Sequence, residues 1–290
     1  MTSQGRPTTV AALVTGCSSG IGRATALALH DVGYAVYATA RRVETLQDLN
    51  QRGIQTLALD VTDESSMRAA VERVIAEHDA VGVLVNNAGY SLTSTVEEAS
   101  MDDVRKQFET NVFGLARMCQ LSLPSMRARG WGRIVNISSM GGRITLPGGG
   151  FYHASKHAVE AISDALRLET APFGVTVSVI QPGPVQSAFG DTAVATMGLG
   201  GSPGPYADFN RELAQRYATA YSGKSAERNV TPEAVASAVV RAAGDHPRPR
   251  YAVGVIAKSL ITGRRLLPDL VWDRVVQAIW PGPRKTPLSR

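Results

Sequence analysis

The stretch that decides the fold is VAALVTGCSSGIGRATALALH, residues Val10–His30. Its apolar start, Val10–Val14, predicts a buried strand, and its end predicts a helix. Between them, Gly16, Gly20 and Gly22 predict a tight turn that a pyrophosphate can approach closely, because glycine has no Cβ and the helix start offers free N–H groups. Glycines at this spacing also occur in ordinary tight turns, so the remaining sequence has to support the interpretation.

Strand and helix patterns alternate along the rest of the chain. Further short apolar runs predict strands at Tyr34–Ala38, Gln55–Leu59, Val81–Val85, Arg133–Ile137, Val175–Ile180 and Tyr251–Ile256. Apolar residues at three- and four-residue spacing predict helices at Gly22–Asp31, Ser65–His78, Met101–Arg129 and Tyr152–Ala171. The alternation predicts an α/β fold, a doubly wound parallel sheet of the Rossmann type with its ligand site at the carboxyl ends of the strands.

The composition fits one globular domain. The chain has 290 residues, of which 44% are hydrophobic and 19% charged, so it can bury a large core and is not disordered. We predict a single domain over residues 8–257. After the sixth strand the alternation breaks, and a helical substrate lid is expected at about 186–230, because loops of this length usually have a function. Residues 258–290 are expected to form a basic C-terminal extension.

The positive charge is concentrated at the C-terminal end. The whole chain carries +5, but residues 241–290 alone carry +7, so the rest of the chain is slightly acidic. Without a recognition motif this extension does not predict nucleic-acid binding. The favoured interpretation of Lys258–Trp280 is a helix that packs on the body or on a second subunit, and contact with a membrane surface is the less favoured alternative.

Several features bear on location and metals. Cys17 and Cys119 have no CxxC spacing, the first residues lack the apolar run of a signal peptide, and no window is long and apolar enough to span a membrane, so a cytoplasmic protein is expected. Cys17 is expected to be a small buried residue rather than a reactive thiol. No metal is expected, since the histidines lack partners at metal-ligand spacing.

These motifs together resemble the short-chain dehydrogenase/reductase family. TGCSSGIG is similar to that family's TGxxxGxG loop, and LDV at Leu59–Val61, NNAG at Asn86–Gly89 and PGPV at Pro182–Val185 follow in the family's order. The resemblance implies an oxidoreductase with a nicotinamide cofactor. The residues it assigns to the cofactor site are Gly16, Ser18, Ser19, Gly20, Ile21, Gly22, Arg41, Arg42, Asp60, Val61, Asn87, Ala88, Gly89, Tyr152, Lys156, Pro182, Gly183, Val185 and Ser187.

The end of the second strand predicts NADP(H) rather than NAD(H). An acidic side chain there would bind the ribose hydroxyls, but the sequence is ATARR with Arg41 and Arg42 at its end. Two guanidinium groups suit a 2′-phosphate. The alternative is that both arginines are solvated residues at a helix start, in which case the chain would be an NAD-dependent alcohol dehydrogenase of the same fold.

A catalytic group is predicted around Tyr152. Lys156 lies four residues on, one helical turn away, and its ammonium is expected to lower the pKa of the tyrosine. An isolated YxxxK pattern is commonplace, but Ser139 ends a strand 13 residues earlier, at the sheet edge where a ligand binds. The arrangement resembles the family's catalytic tetrad with Asn111 as fourth member. Ser138 is the competitor for the role of Ser139.

The resemblance implies hydride transfer between the nicotinamide and a carbonyl or secondary alcohol, with proton transfer through Tyr152. The motifs look like the 17β-hydroxysteroid dehydrogenase branch, and an apolar steroid-, retinoid- or lipid-like substrate is expected. The aromatic and apolar lid residues that would line its pocket, or instead close the lid against the body, are Phe189, Met197, Leu199, Tyr206, Phe209 and Tyr217. A homodimer or homotetramer is expected. A regulator that binds NADPH without turnover is the alternative from another functional class.

Overall fold

The structure contains one parallel sheet. It is a computed structural model that describes residues 10–187, 204–220, 229–280 and 282–283. The strands within these ranges are β1 (Ala11–Val14), β2 (Ala35–Ala40), β3 (Gln55–Ala58), β4 (Val83–Asn86), β5 (Gly132–Ile137), β6 (Val175–Pro182) and β7 (Arg250–Val253). They pair in the order β3-β2-β1-β4-β5-β6-β7, every pair parallel. The strand order reverses between β1 and β4, which confirms the predicted doubly wound Rossmann fold.

Helices cover both faces of the sheet. They are α1 (Gly20–Asp31), α2 (Gln47–Asn50), α3 (Glu64–His78), α4 (Met101–Phe108), α5 (Leu115–Arg129), α6 (Gly150–Thr170), α7 (Ala207–Ala220), α8 (Pro232–Ala243), α9 (Val255–Leu266) and α10 (Asp269–Ile279). One core cluster joins the sheet to α1, α2 and α8, and a second joins it to α3, α5 and α6. Because both faces are covered, the inner strands β1, β4 and β5 are fully buried, whereas the edge strand β3 is partly exposed.

The helix predicted over Met101–Arg129 contains a π-helical segment, Glu109–Gly114, between α4 and α5. Two tertiary contacts are made by this π-helical segment, whose turn is wider than that of an α-helix. The side chain of Asn111 bonds the backbone of Tyr90, and Gly114 packs so closely on the loop after β3 that a Cβ there would lie 2.4 Å from the Val61 carbonyl oxygen. Single π turns often occur at functional sites.

The C-terminal part also differs from the predicted element bounds. The run predicted as a strand over Tyr251–Ile256 stops at Val253, because Gly254 has φ +92°, outside the range of a strand, and α9 begins at Val255. The segment expected to form one helix forms two. Leu267 precedes Pro268 and is extended, with ψ 136°, since proline disfavours the helical conformation of the residue before it.

Helices α9 and α10 contact the body through a few side chains. Trp272 and Val276 are buried against Ile144, and the indole Nε1 of Trp280 donates a hydrogen bond to the Pro147 carbonyl oxygen at 3.1 Å. No helix in the described ranges is both long and apolar enough to cross a lipid bilayer. These contacts are with the body, which is one of the two surfaces, the body or a second subunit, on which the segment was expected to pack.

We predict that Leu84→Ala destabilises the protein by about 2–5 kcal/mol, because Leu84 is fully buried in the central strand β4 and truncation leaves a cavity. Leu270→Ala, on a side chain that is 77% exposed, is the matched control and should change stability by less than about 0.5 kcal/mol. Urea unfolding of both variants measures the difference. Equal stabilities would contradict the assignment of β4 to the core.

Candidate active site

Hydrogen bonds join the ends of β1 and β4. The hydroxyl oxygen of Thr15 accepts from the backbone N–H groups of Asn87 and Ala88, both at 3.0 Å. The amide of Asn87 donates to the carbonyl oxygens of Thr15 and Gly16 at 2.9 and 3.0 Å. These bonds fix the glycine turn against the NNAG segment, so two of the motifs found in the sequence form one unit. Sequence reasoning did not single out Thr15.

The glycine turn has the shape that an anionic ligand needs. Gly16 and Gly20 have φ of +74° and +56°, and a Cβ at Gly22 would lie 2.3 Å from the Gly16 carbonyl oxygen. Ser19 caps helix α1 without a hydrogen bond from its own side chain, which leaves the first N–H groups of the helix open to a ligand. Ser187 borders the turn, with its Cβ 3.2 Å from where a Gly20 Cβ would be.

A cavity of about 400 Å³ lies at the end of β2 and is lined by Ser18, Ala40, Arg41, Arg42 and Thr45. Both arginines are exposed, and within the described chain neither guanidinium has an ion-pair or hydrogen-bond partner. Two unpaired cations on a concave surface favour a doubly charged anion such as a phosphate ester. The cavity opens next to the glycine turn, so one nucleotide could contact both.

Other predicted cofactor residues lie around the same sheet edge. Asp60 bonds locally, because its Oδ1 accepts from the N–H of Thr62 at 2.9 Å, and Val61 is buried beside the π segment. Gly183 follows β6, and its N–H donates to Val253. The side chain of Val185 packs in the core, so this residue can offer a ligand only its backbone.

Ser139 and Tyr152 lie next to each other where β5 ends and α6 begins. The Ser139 side chain hydrogen-bonds the tyrosine hydroxyl, and its Oγ also accepts from the Gly141 N–H at 3.0 Å. Ser138 faces the other way: its Oγ is buried without a hydrogen-bond partner among the described residues and lies 2.5 Å from where a Gly142 Cβ would be. The geometry thus favours Ser139 over its neighbour as the serine of the site.

Burial sets the pKa values of the pair Tyr152 and Lys156. It raises the pKa of Tyr152 to about 12, partly offset by the Ser139 hydrogen bond, and it lowers the pKa of Lys156 to about 8, partly offset by the charge of Glu160. Lys156 Nζ donates to the Ile137 carbonyl oxygen at 2.8 Å and lies 6.0 Å from the centre of the tyrosine ring. Lys156 is not among the groups that shift the pKa of Tyr152, so the expected lowering of that pKa by the ammonium is not seen in this structure.

Asn111 links the π segment to helix α6. Its side-chain amide donates to the Tyr90 carbonyl oxygen at 2.9 Å and to Ser155 Oγ at 3.1 Å, while its oxygen accepts from the Tyr90 N–H. Ser155 in turn donates to the Tyr152 carbonyl oxygen at 2.7 Å. Asn111 is thus two hydrogen bonds away from the backbone of the tyrosine. No motif in the sequence points to Ser155 beyond its place between Tyr152 and Lys156.

The described part of the predicted lid is helix α7. Tyr217 hydrogen-bonds Thr93, and its hydroxyl lies close enough to Tyr152 to raise that tyrosine's pKa. Phe209 is buried and packs with Leu213, whose side chain lies against Gly148 of the body. The predicted lid residues Phe189, Met197 and Leu199 lie outside the described residues.

Other chemically active side chains have structural surroundings. Cys17 is fully buried under the glycine turn, and burial raises the pKa of its thiol to about 12. Burial lowers the pKa of His153 to about 4, and its Nδ1 accepts from the Leu146 N–H at 3.2 Å. Within the described ranges no three His, Cys, Asp or Glu side chains come together in a way that could hold a metal.

Comparison with known proteins identifies relatives of the chain. The model of the family described as short chain dehydrogenase matches residues 10–197. A 3-ketodihydrosphingosine reductase of Bacteroides thetaiotaomicron is 44% identical over 179 residues, which are 62% of this chain and 65% of that protein. An NADPH-dependent 3-dehydrocapnine reductase of Ornithobacterium rhinotracheale is 33% identical over 277 residues, 91% of this chain and 95% of that protein.

A solved structure agrees with the fold. A short-chain dehydrogenase from Streptomyces avermitilis superposes with a TM-score of 0.73 at 33% sequence identity, covering 95% of this chain and 97% of that one. The similarity extends well past residue 197, where the family model ends, and includes the C-terminal helices.

We predict that Lys156→Met stabilises the protein at neutral pH. The folded pKa of about 8 lies below the ordinary 10.5, so the unfolded chain binds the lysine proton more tightly. The resulting cost to stability is absent above pH 10.5, grows as the pH falls, and is complete below pH 8. Allowing for the lost hydrogen bond to Ile137, the variant should be more stable by about 1–2 kcal/mol at neutral pH.

Urea unfolding at neutral pH and above pH 10.5 measures this difference. Lys258→Met, at an exposed lysine, is the control and should leave stability unchanged at both values. A Lys156→Met protein whose stability relative to the parent does not depend on pH would show that the amine is not desolvated.

Proposed function

The chain belongs to the short-chain dehydrogenase/reductase family of oxidoreductases, and from this premise we propose that it is an NADPH-dependent reductase of lipid-like ketones. The observation that carries the proposal is the hydrogen bond between Ser139 and Tyr152 beside a glycine turn that leaves room for a phosphate. A regulator that only binds the nucleotide would have no use for this pair, which supports an enzyme over the sensing alternative.

The proposed mechanism assigns a role to each side chain. A nicotinamide nucleotide held by the glycine turn and by Arg41 and Arg42 would supply the hydride for the carbonyl carbon. Ser139 donates a hydrogen bond to the carbonyl oxygen and holds it next to the Tyr152 hydroxyl, within reach for proton transfer. With its pKa near 12, Tyr152 carries its proton at neutral pH and can donate it to the alkoxide that forms. This protonation state favours reduction over oxidation.

Lys156 and Asn111 support the proton transfer. Lys156 has a pKa near 8, so at neutral pH it holds a proton that it can pass on after Tyr152 has lost its own. We assign Asn111 a positioning role, because its hydrogen bonds reach the start of helix α6 through Ser155. The same residues would run the reverse reaction on a secondary alcohol if Tyr152 began deprotonated.

The preference for NADPH over NADH rests on Arg41 and Arg42. Their unpaired guanidinium groups line the cavity at the end of β2, which fits the 2′-phosphate that distinguishes the two nucleotides. The relative from Ornithobacterium rhinotracheale is named as NADPH-dependent, in agreement with this assignment.

The proposed substrate class is a ketone on a long apolar chain. Two relatives are named for reducing the 3-keto or 3-dehydro form of such a compound. In this chain, Tyr217 of helix α7 lies beside Tyr152, so an apolar substrate would enter between the lid and the catalytic group. We propose that helix α7 closes over the apolar chain of the substrate. Exposed small residues on α6, among them Ala161 and Ala165, support the proposal of a homo-oligomer.

We predict that Tyr152→Phe lowers kcat for 3-ketodihydrosphingosine by about 10²–10⁴-fold while NADPH still binds, because only the proton donor is removed. Ser139→Ala should also lower kcat, and Ser138→Ala is the matched control that should not, since the neighbouring hydroxyl faces away from the site. NADPH oxidation followed by absorbance measures all three. A Tyr152→Phe protein with normal turnover would refute the mechanism.

We predict that Arg41→Ala and Arg42→Ala each weaken NADPH binding by about 10–100-fold and leave NADH binding unchanged, because a charge-assisted hydrogen bond to the 2′-phosphate is lost. Arg52→Ala, at an exposed arginine beyond α2, is the control. Fluorescence titration with both nucleotides measures the dissociation constants. Equal affinities of the parent protein for the two nucleotides would favour the NAD-dependent alternative.

A further inference from the structure

An apolar surface lies at the turn between α9 and α10. Leu266, Leu270 and Val271 are 73%, 77% and 40% exposed, and they fall within six consecutive residues; together we name them the C-terminal tip. Half of the exposed large apolar side chains in the described chain lie in these two helices, with Val255, Ile256 and Ile279 as the other members. Contiguous exposed apolar surface of this kind marks an interaction site.

Basic side chains outnumber acidic ones in the two helices that carry the tip. Residues 255–279 contain four basic and two acidic side chains. Arg264 is paired with Asp269 at 2.7 Å, but Lys258, Arg265 and Arg274 have no hydrogen-bond or ion-pair partner in the part of the chain that the structure describes. Arg265 directly precedes Leu266, and Arg274 lies one helical turn after Leu270 on the same face. Free cations therefore stand next to the exposed leucines.

The side chains of the C-terminal tip take no part in the core of the domain. Only Ala257, Trp272 and Val276 of the two helices are buried, and the last two pack on Ile144 in the loop that leads into α6. The tip lies at the turn between the helices, and its own three side chains belong to none of the described core clusters. Its exposure is thus not needed for the packing of the domain.

We propose that the C-terminal tip docks the protein on the surface of a bilayer that contains anionic lipids. The leucines would enter the boundary between head groups and acyl chains, and Arg265 and Arg274 would contact lipid phosphates with their long side chains. Each cation near an anionic surface adds attraction, so the apolar and basic groups act together. Docking does not depend on the proposed reductase activity.

The same surface orients the site toward the source of a lipid substrate. The helix pair rests on residues 144–147, and Trp280 at its end contacts Tyr217 of the lid helix ring to edge, with 5.9 Å between the ring centres. The lid helix and the end of the docking helices are therefore in contact, and Arg216 of the lid helix also lies over the Trp280 ring, 5.8 Å from its centre. A second copy of the chain or an acidic protein could also cover a basic apolar surface, and the experiment separates these cases.

The test is flotation of the full-length protein with vesicles of phosphatidylcholine alone or with added phosphatidylglycerol. The protein should float with the anionic vesicles, much less with the neutral ones, and binding should weaken at high salt. Leu270→Ser should reduce binding by about tenfold or more, and Arg265→Gln and Arg274→Gln by about fivefold each. Val32→Ser, at a 51% exposed side chain in the α1–β2 turn, is the matched control.

Three results would overturn the proposal: no flotation of the parent protein with anionic vesicles, equal loss for Val32→Ser and Leu270→Ser, or a change of oligomer size in Leu270→Ser during gel filtration, which would assign the tip to a second copy. Turnover of a water-soluble ketone, measured in parallel without vesicles, should be the same in all variants. Loss of that activity would concern the catalytic proposal and leave the flotation result unaffected.

Discussion

The short hydrogen-bonded connection between Thr15 and Asn87 is the constraint on which the site depends. Chain connections leave β1 and β4 toward opposite faces of the sheet, so a crevice opens between the ends of these strands. The hydrogen bonds of the Thr15 hydroxyl and the Asn87 amide join the two sides of that crevice and hold the glycine turn at its edge. The cavity lined by Arg41 and Arg42, the glycine turn and the loop that carries Ser139 lie along one edge of the sheet, each at the end of its own strand.

Burial is the second determinant of the chemistry. The phenol and the amine lie one helical turn apart, and low polarity disfavours the charged form of each, so the pKa of Tyr152 rises and that of Lys156 falls. The hydrogen bond from Lys156 to the Ile137 carbonyl and the one between Ser139 and Tyr152 hold the two groups in place. A proton would therefore pass readily from the Lys156 ammonium to a Tyr152 phenolate, because this transfer leaves both groups neutral.

The strands and the order of motifs could be predicted from the sequence, because buried parallel strands are continuous apolar runs and glycine turns have few alternatives. The π segment could not, since the contacts of Asn111 and Gly114 with distant loops form it rather than local preference. The break between helices α9 and α10 at Pro268 could be predicted from the proline alone. The preference for Ser139 over Ser138 came from family spacing, and the direction of each side chain required the structure. The roles assigned to the site residues stay predictions.

The buried cysteines have a consequence for the chemistry of the protein in an oxidising environment. Cys17 and Cys119 are both free, enclosed by the core, and have thiol pKa values near 12, so almost no thiolate is present at neutral pH. Peroxides and electrophiles attack the thiolate form and need access to it. Oxidation or alkylation of thiols should therefore leave the glycine turn unchanged, although Cys17 lies within it. Oxidative stress that inactivates thiol-dependent enzymes should not abolish the oxidoreductase activity of this site.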